Sequence, residues 1–189
     1  AKVTGQVAHP NVVSVLDLGE DWGRPYVAME LLDGASLGSG GAVMLCSLDA
    51  RLEGMGQVCA GLQSAHERGI VHGHVKPSHV FVTRDGTIKI LDFGAGDGRP
   101  DAYAAPEQGS GEGATERSDV FSAAAVFHFM LTGRQPFKSN GAVATDPPPA
   151  IADSVAPEAL SRALLQALDK NPARRHPSIT LLRAEIEQV

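Results

Sequence analysis

The spacing of apolar positions changes along the chain. In the first third it is strand-like: Val12, Val13, Val15 and Leu16 predict one strand and Tyr26 to Leu32 a second. A turn at Asp21-Trp22-Gly23 separates them, which is a hairpin pattern. Gly34 to Gly41 reads as a flexible stretch. Beyond it the period lengthens. Leu48, Leu52, Met55, Val58/Cys59 and Leu62 recur at intervals of three and four and predict a helix with one buried face. Ser47 is its N-cap, with Asp49 in the first turn, and Gly69 is its stop signal. Short β segments are expected at Ile70-Val71, at Val80 to Val82 and at Ile88 to Leu91. Asp85-Gly86 joins the last two as a tight turn.

From residue 118 the pattern becomes helical. Ser118 is expected to cap a helix running through Leu131, apolar nearly all round and therefore central, ended by Gly133 and Pro136. Residues 138–150, with Pro147-Pro148-Pro149, read as an extended surface loop. Pro157 at a first helical turn opens a helix with Leu160, Leu164, Leu165 and Leu168 on one face. Ser178 opens the last helix, with Ile179, Leu182 and Ile186. No internal repeat interrupts this order of a small β portion followed by a mostly helical lobe.

Composition narrows the classes of function. At 189 residues, 43% hydrophobic and 20% charged, the chain suits about one folded domain and not a disordered one. Aromatics are only 5%, so Leu, Val, Ile and Ala must build the core. A net charge of −6 argues against nucleic acid or an anionic membrane as the main partner. The longest apolar stretch, Val120 to Leu131, carries Ser122 and His128 and falls short of the roughly 18 residues a span requires. Cys46 and Cys59 form no CxxC pair and read as two reduced, half-buried thiols, consistent with a cytoplasmic setting. A chain that begins at Ala1 and not Met is expected to be part of a longer protein.

Four motifs occur in order: His9-Pro10-Asn11-Val12-Val13; the run Ile70 to Phe81, with His72-Gly73-His74-Val75-Lys76-Pro77-Ser78-His79 at its centre; Lys89-Ile90-Leu91-Asp92-Phe93-Gly94; and Tyr103-Ala104-Ala105-Pro106-Glu107 followed by Ser118-Asp119-Val120-Phe121-Ser122. Gly133-Arg134-Gln135-Pro136-Phe137 and Pro172-Ala173-Arg174-Arg175 lie behind them. Together they resemble the eukaryotic-like serine/threonine protein kinases of bacteria, over nearly the whole chain. The resemblance implies an α+β protein-kinase-like fold. Residues 1–32 would be the rear of the small lobe, up to the hinge. Residues 33–189 would be the large lobe, with a catalytic loop at 70–82 and an activation segment at 92–107. The family's Gly-rich loop, its phosphate-anchoring lysine and the glutamate that pairs with it precede the H-P-N motif. Here eight residues precede His9, and Lys2 stands too close to be that lysine, so those parts are expected to be absent or upstream of Ala1.

By resemblance, the family's catalytic loop reads H-R-D-L-K-P-x-N, in which the Asp accepts the substrate hydroxyl proton and the Asn holds a Mg²⁺. His72, Lys76 and Pro77 keep the pattern, but Gly73 replaces the Arg, His74 the Asp and His79 the Asn. The metal-binding Asp is kept as Asp92. A missing proton acceptor costs on the order of 10²–10⁴ in rate, and imidazole does not offer the oxygen that Mg²⁺ prefers. The segment from Asp92 to Glu107 is 16 residues long and contains no Ser or Thr, with Tyr103 its only hydroxyl, so a phospho-switch is expected to be lost as well.

The resemblance also implies a partial nucleotide site for ATP and Mg²⁺. Met29 would be gatekeeper, Glu30 and Leu32 would face the adenine edge, Phe81 would form the floor, and Lys76 and Asp92 would meet phosphate and metal. His72, His74, His79 and Asp92 raise a zinc alternative, with His72 turned into the core. His9, His66, His128 and His176 read as structural or exposed. For the scaffold, the resemblance has His72 stack on Phe93 with Val15 above, Asp119 accept backbone N–H bonds from the catalytic loop, and Glu107 pair with Arg175. The expectation is a pseudokinase serving as a regulatory or binding module for a protein partner. Two alternatives stay open: an active ATP-dependent kinase completed upstream, and a non-functional fragment.

Overall fold

The computed structural model describes residues 7–41, 45–94 and 101–189. Lys2 and part of the expected activation segment lie outside the described residues. The hairpin forms as strands β1 (Val15–Asp21) and β2 (Arg24–Met29), antiparallel with Leu18 opposite Val27 and Asp21 opposite Arg24. Trp22 and Gly23 make the turn at φ 51° and 74°, the positive values that let a two-residue loop follow the strand twist. Both strands differ from expectation at their ends. Val12 and Val13 are excluded from β1, because they are buried against Ile90: Val12 bridges it in parallel and Val13 N donates to its carbonyl at 3.0 Å. The second strand ends at Met29, three residues early. The hairpin is mostly exposed, with Leu16 70% and Trp22 95% accessible.

The stretch expected to be flexible is structured over its described part. Gly34–Ser36 is strand β3, the edge of an antiparallel sheet with β4 (Val80–Thr83) and β5 (Ile88–Ile90), and Leu37–Ser39 is a 3-10 turn with Leu37 buried. Glycine is needed at residue 34, where a Cβ would collide with the Val82 carbonyl. Asp85-Gly86 does turn β4 into β5, but Ile70-Val71 forms no strand.

Helix α1 (Leu48–His66) is capped by the Ser47 hydroxyl, which accepts from Ala50 N. It buries Met55, Val58, Cys59 and Leu62. Cys59 is therefore fully buried and Cys46 exposed, not two half-buried thiols; burial pushes the Cys59 thiol pKa up. After a single turn, α2 (Pro106–Gly109), comes α3 (Glu116–Thr132). Its cap is Thr115, not Ser118: the Thr115 hydroxyl accepts from Ser118 N, and the Ser118 hydroxyl accepts from Thr115 N, a reciprocal capping box. Burial of every residue from Ser118 to His128 makes α3 the central helix.

The expected surface loop contains a short helix, α4 (Asn140–Thr145), capped by Ser139. Pro157 is the N-cap of α5 (Glu158–Ala167), one position earlier than its expected place in the first turn. Ser178 caps α6 (Ile179–Ile186) as its sequence implies. α1 packs on α3, α6 and β5, and α3 on α5. Each fully buried Leu, Ile or Phe there contributes about 1.5–3 kcal/mol relative to exposure. No helix of the described residues is long and apolar enough to cross a membrane.

Candidate functional site

The site is built by an irregular segment that α3 holds from beneath. Behind α1, Gly69 takes φ 69° and the chain runs through 70–76 without forming a ladder. Backbone N–H groups in such a run need other partners. Asp119, fully buried in the first turn of α3, supplies them. Its Oδ2 accepts from His72 N and its Oδ1 from Gly73 N, both at 2.8 Å. His66, at the end of α1, adds its Nε2 to Oδ2 at 2.8 Å. By its sequence context His66 reads only as structural or exposed. No local signal links it to Asp119, 53 residues away.

His72 is turned into the core. Its Nε2 donates to Leu91 O at 2.9 Å, its Nδ1 accepts from His74 N at 3.1 Å, and its ring lies 4.6 Å from that of Phe93. Burial pulls its pKa from 6.5 down to about 4 despite the charge of Asp119. Burial likewise lowers the pKa of His128 on α3. A histidine kept neutral by the fold loses stability on acidification, because the unfolded chain takes up the proton first. His72 alone is expected to remove roughly 3 kcal/mol as pH falls from 6.5 to about 4. The carboxylates Asp101 and Glu107, whose pKa values are lowered from 3.8 and 4.5, add their own loss from the acid end of that window downward. Urea midpoints measured between pH 7 and 4.5 check this; a flat profile contradicts it.

His74 faces Asp101. Its Nε2 lies 3.3 Å from Asp101 Oδ2, and its Nδ1 is buried with no hydrogen-bond partner. Lys76 Nζ is 3.7 Å from the same Asp101 oxygen, and Tyr103 N donates to Oδ1 at 2.8 Å. Burial raises the Asp101 pKa, but the hydrogen bonds from His74 and Tyr103 N and the charge of Lys76 outweigh it and hold the carboxyl below its usual range. Gln108 on α2 ties the same region down by donating to Gly73 O at 2.7 Å. Sequence reasoning misses both residues. A search of the segment for hydroxyls to phosphorylate passes over them, and nothing local says that Asp101 will meet a side chain 27 residues earlier.

His79 Nδ1 donates to His74 O at 2.9 Å, which leaves Nε2 as the lone-pair nitrogen, 3.7 Å from Asp92 Oδ2. Asp92 sits at φ 61°, unusual for a residue other than glycine. Mg²⁺ demands near-octahedral oxygen coordination. One imidazole nitrogen beside one carboxylate does not fit it.

Of the expected adenine-facing residues, Glu30 is fixed by two donors. Glu30 Oε1 accepts from Ser14 N and from Lys89 Nζ, both at 2.8 Å, and Glu30 N donates to Ser14 O. Glu30 and Leu32 line a 360 Å³ cavity with Asp33, Thr83 and Lys89, whereas Phe81, Lys76 and Asp92 do not line it. Met29 is 40% exposed and Val15 half-buried in the hairpin. Glu107 accepts two bonds from the Arg175 guanidinium, at 2.7 and 2.8 Å, and a third from the Ser118 hydroxyl.

Comparison with known proteins matches residues 1–175 to the protein kinase domain family. The serine/threonine-protein kinase Pkn1 of Myxococcus xanthus is 35% identical over 214 residues, spanning 99% of this chain and 31% of that protein. PknA of Mycobacterium tuberculosis is 35% identical, spanning 94% and 47%. The chain thus spans 31% and 47% of the length of these two relatives. The crystal structure of the M. tuberculosis PknI kinase domain superposes with a TM-score of 0.82 at 26% identity, covering 99% of this chain and 74% of that one.

Proposed function

The chain belongs to the protein kinase family and has its fold, and from that premise we propose that it is a module that does not transfer phosphate and serves instead to bind a protein partner. The observation that carries this reading is the state of His74. A proton acceptor needs a free lone pair within reach of the substrate hydroxyl. Nε2 faces the Asp101 carboxylate, so it carries the proton, and Nδ1 is closed off from solvent. Neither nitrogen can receive a hydroxyl proton. His79 and Asp92 give Mg²⁺ a poor site, and Lys76 does not line the cavity that Glu30 and Leu32 share. In this reading residues 1–32 are what the chain has of the small lobe and 33–189 are the large lobe. The helical face or the cleft meets the partner, in the cytoplasm.

One observation favours a second reading. Asp101 brings a carboxylate beside Lys76, where the catalytic loop lacks one. In that reading Asp101 is the proton acceptor of an active kinase. Its lowered pKa makes it a weaker base than an ordinary aspartate.

The test is phosphate transfer from labelled ATP by the full natural protein, with Mg²⁺ or Mn²⁺, beside its Asp92→Ala variant. The expected result is no label above that variant. Robust labelling lost in both Asp92→Ala and Asp101→Asn would replace the first reading with the second. A related prediction concerns repair of the loop. His74→Asp is expected not to restore transfer, because it sets two carboxylates against each other with Lys76 alone between them. It should lower stability by roughly 1–2 kcal/mol, and adding Asp101→Asn should recover that loss in a thermal melt.

A further inference from the structure

We infer that Lys170 is a site of acylation, its ε-amine taking the acyl group of a small acyl phosphate. Lys170 follows α5 and is anchored by its own carbonyl, which accepts from Arg175 Nη2 at 3.2 Å. The residue is half-buried, and its Nζ is covered and has no hydrogen-bond partner. That nitrogen lies 3.8 Å from the centre of the Phe137 ring and 5.8 Å from that of Phe121. The two rings stack 6.0 Å apart and nearly parallel. The other described lysines differ. Lys76 and Lys89 face the carboxylates of Asp101 and Glu30, and Lys138 is exposed.

An ammonium group in that position has given up its water for phenyl faces. Cation–π attraction compensates in part, but a buried charge without a hydrogen bond is costly. Burial therefore pulls the Lys170 pKa from 10.5 down to about 8, although the charges of Asp146 and Asp169 favour the ammonium; Arg175 disfavours it. At pH 7.5 about a quarter of such amines are neutral, against about one in a thousand for an ordinary lysine. Only the neutral amine is a nucleophile, and desolvation in an apolar pocket activates lysine. In the reaction the nitrogen lone pair attacks the acyl carbon and an N–C bond forms. The C–O bond to phosphate breaks, phosphate leaves with its electron pair, and the amine proton passes to water. The product is a neutral amide, so the buried charge is gone. The coverage of Nζ selects a small donor. An acyl phosphate carries its acyl group on a compact leaving group, whereas a coenzyme A thioester is far bulkier. The inference is independent of the state of the catalytic loop and uses none of its groups.

Incubation of the full chain with acetyl phosphate, without any transferase, tests it. Mass spectrometry follows acetylation at each lysine, with the exposed Lys138 as internal reference. At pH 7.5 Lys170 is expected to be labelled at least about fivefold faster than Lys138, the coverage of Nζ offsetting the rest of its advantage in neutral amine. Its rate should level off above about pH 8, while that of Lys138 keeps rising toward pH 10. In concentrated urea, where the phenyl walls are gone, the two rates should become equal. Acetyl-coenzyme A should label Lys138 and spare Lys170. Labelling of Lys170 no faster than Lys138 in the folded chain, a rate that still rises at pH 10, a lead that persists in urea, or equal labelling by the thioester would each overturn the proposal.

Discussion

Arg175→Met is expected to cost about 3–5 kcal/mol of stability, or roughly 6–20 °C in melting temperature. Arg175 is 2% exposed, and its guanidinium makes five hydrogen bonds. Two go to Glu107, and the others to the carbonyls of Asp169, Arg117 and Lys170. Its face lies 4.8 Å from the Phe121 ring. Methionine keeps the apolar stem and removes every donor. Glu107, itself 9% exposed, would then hold a buried charge with only the Ser118 hydroxyl as a side-chain donor. That uncompensated carboxylate supplies most of the cost, not the loss of attraction within the pair. The double variant Arg175→Met with Glu107→Leu should therefore be more stable than Arg175→Met alone. Chemical denaturation of the two variants decides; a loss below about 1 kcal/mol for the single variant contradicts the argument.

Asp119→Ala is expected to cost about 3–6 kcal/mol, because three donors lose their acceptor together. They are His72 N, Gly73 N and His66 Nε2, each 2.8 Å from a carboxylate oxygen. An unmade buried hydrogen bond costs about 1–3 kcal/mol, and the three share one acceptor, so the sum is not simple. The damage has an address. Residues 70–76 have no ladder to fall back on, so their amides should exchange fastest in the variant, while those of α5 and α6 stay protected. Uniform loss of protection would mean that Asp119 acts on the whole fold and not on this segment. Asp119→Asn, which keeps one oxygen acceptor, should fall between the variant and the parent protein.

Local chemistry makes several elements legible in the amino-acid order. The α1 and α6 helices follow from three-and-four spacing behind Ser47 and Ser178, and the β4–β5 turn from Asp85-Gly86. Those signals act within one or two turns of chain, so neighbours in sequence suffice. Boundaries fail where a distant partner overrides the local pattern. Val12 and Val13 look like a strand start but belong to Ile90, and Gly34 to Gly41 look loose, yet Gly34 to Ser36 pair with β4. Thr115 displaces Ser118 as a cap because the two hydroxyls close a reciprocal pair that either residue could have begun.

The candidate site divides along the same line. The order of residues alone sets the chemical inventory: an imidazole at position 74, another at position 79, Asp92 kept, and no Ser or Thr among residues 92–107. What those groups can do depends on contacts that only folding creates. Asp101 turns His74 into a hydrogen-bond donor from 27 residues away, and the His74 carbonyl leaves His79 its outward lone pair. A side chain's type is written in one position, but the lone pair or proton it presents depends on which group the fold sets against it.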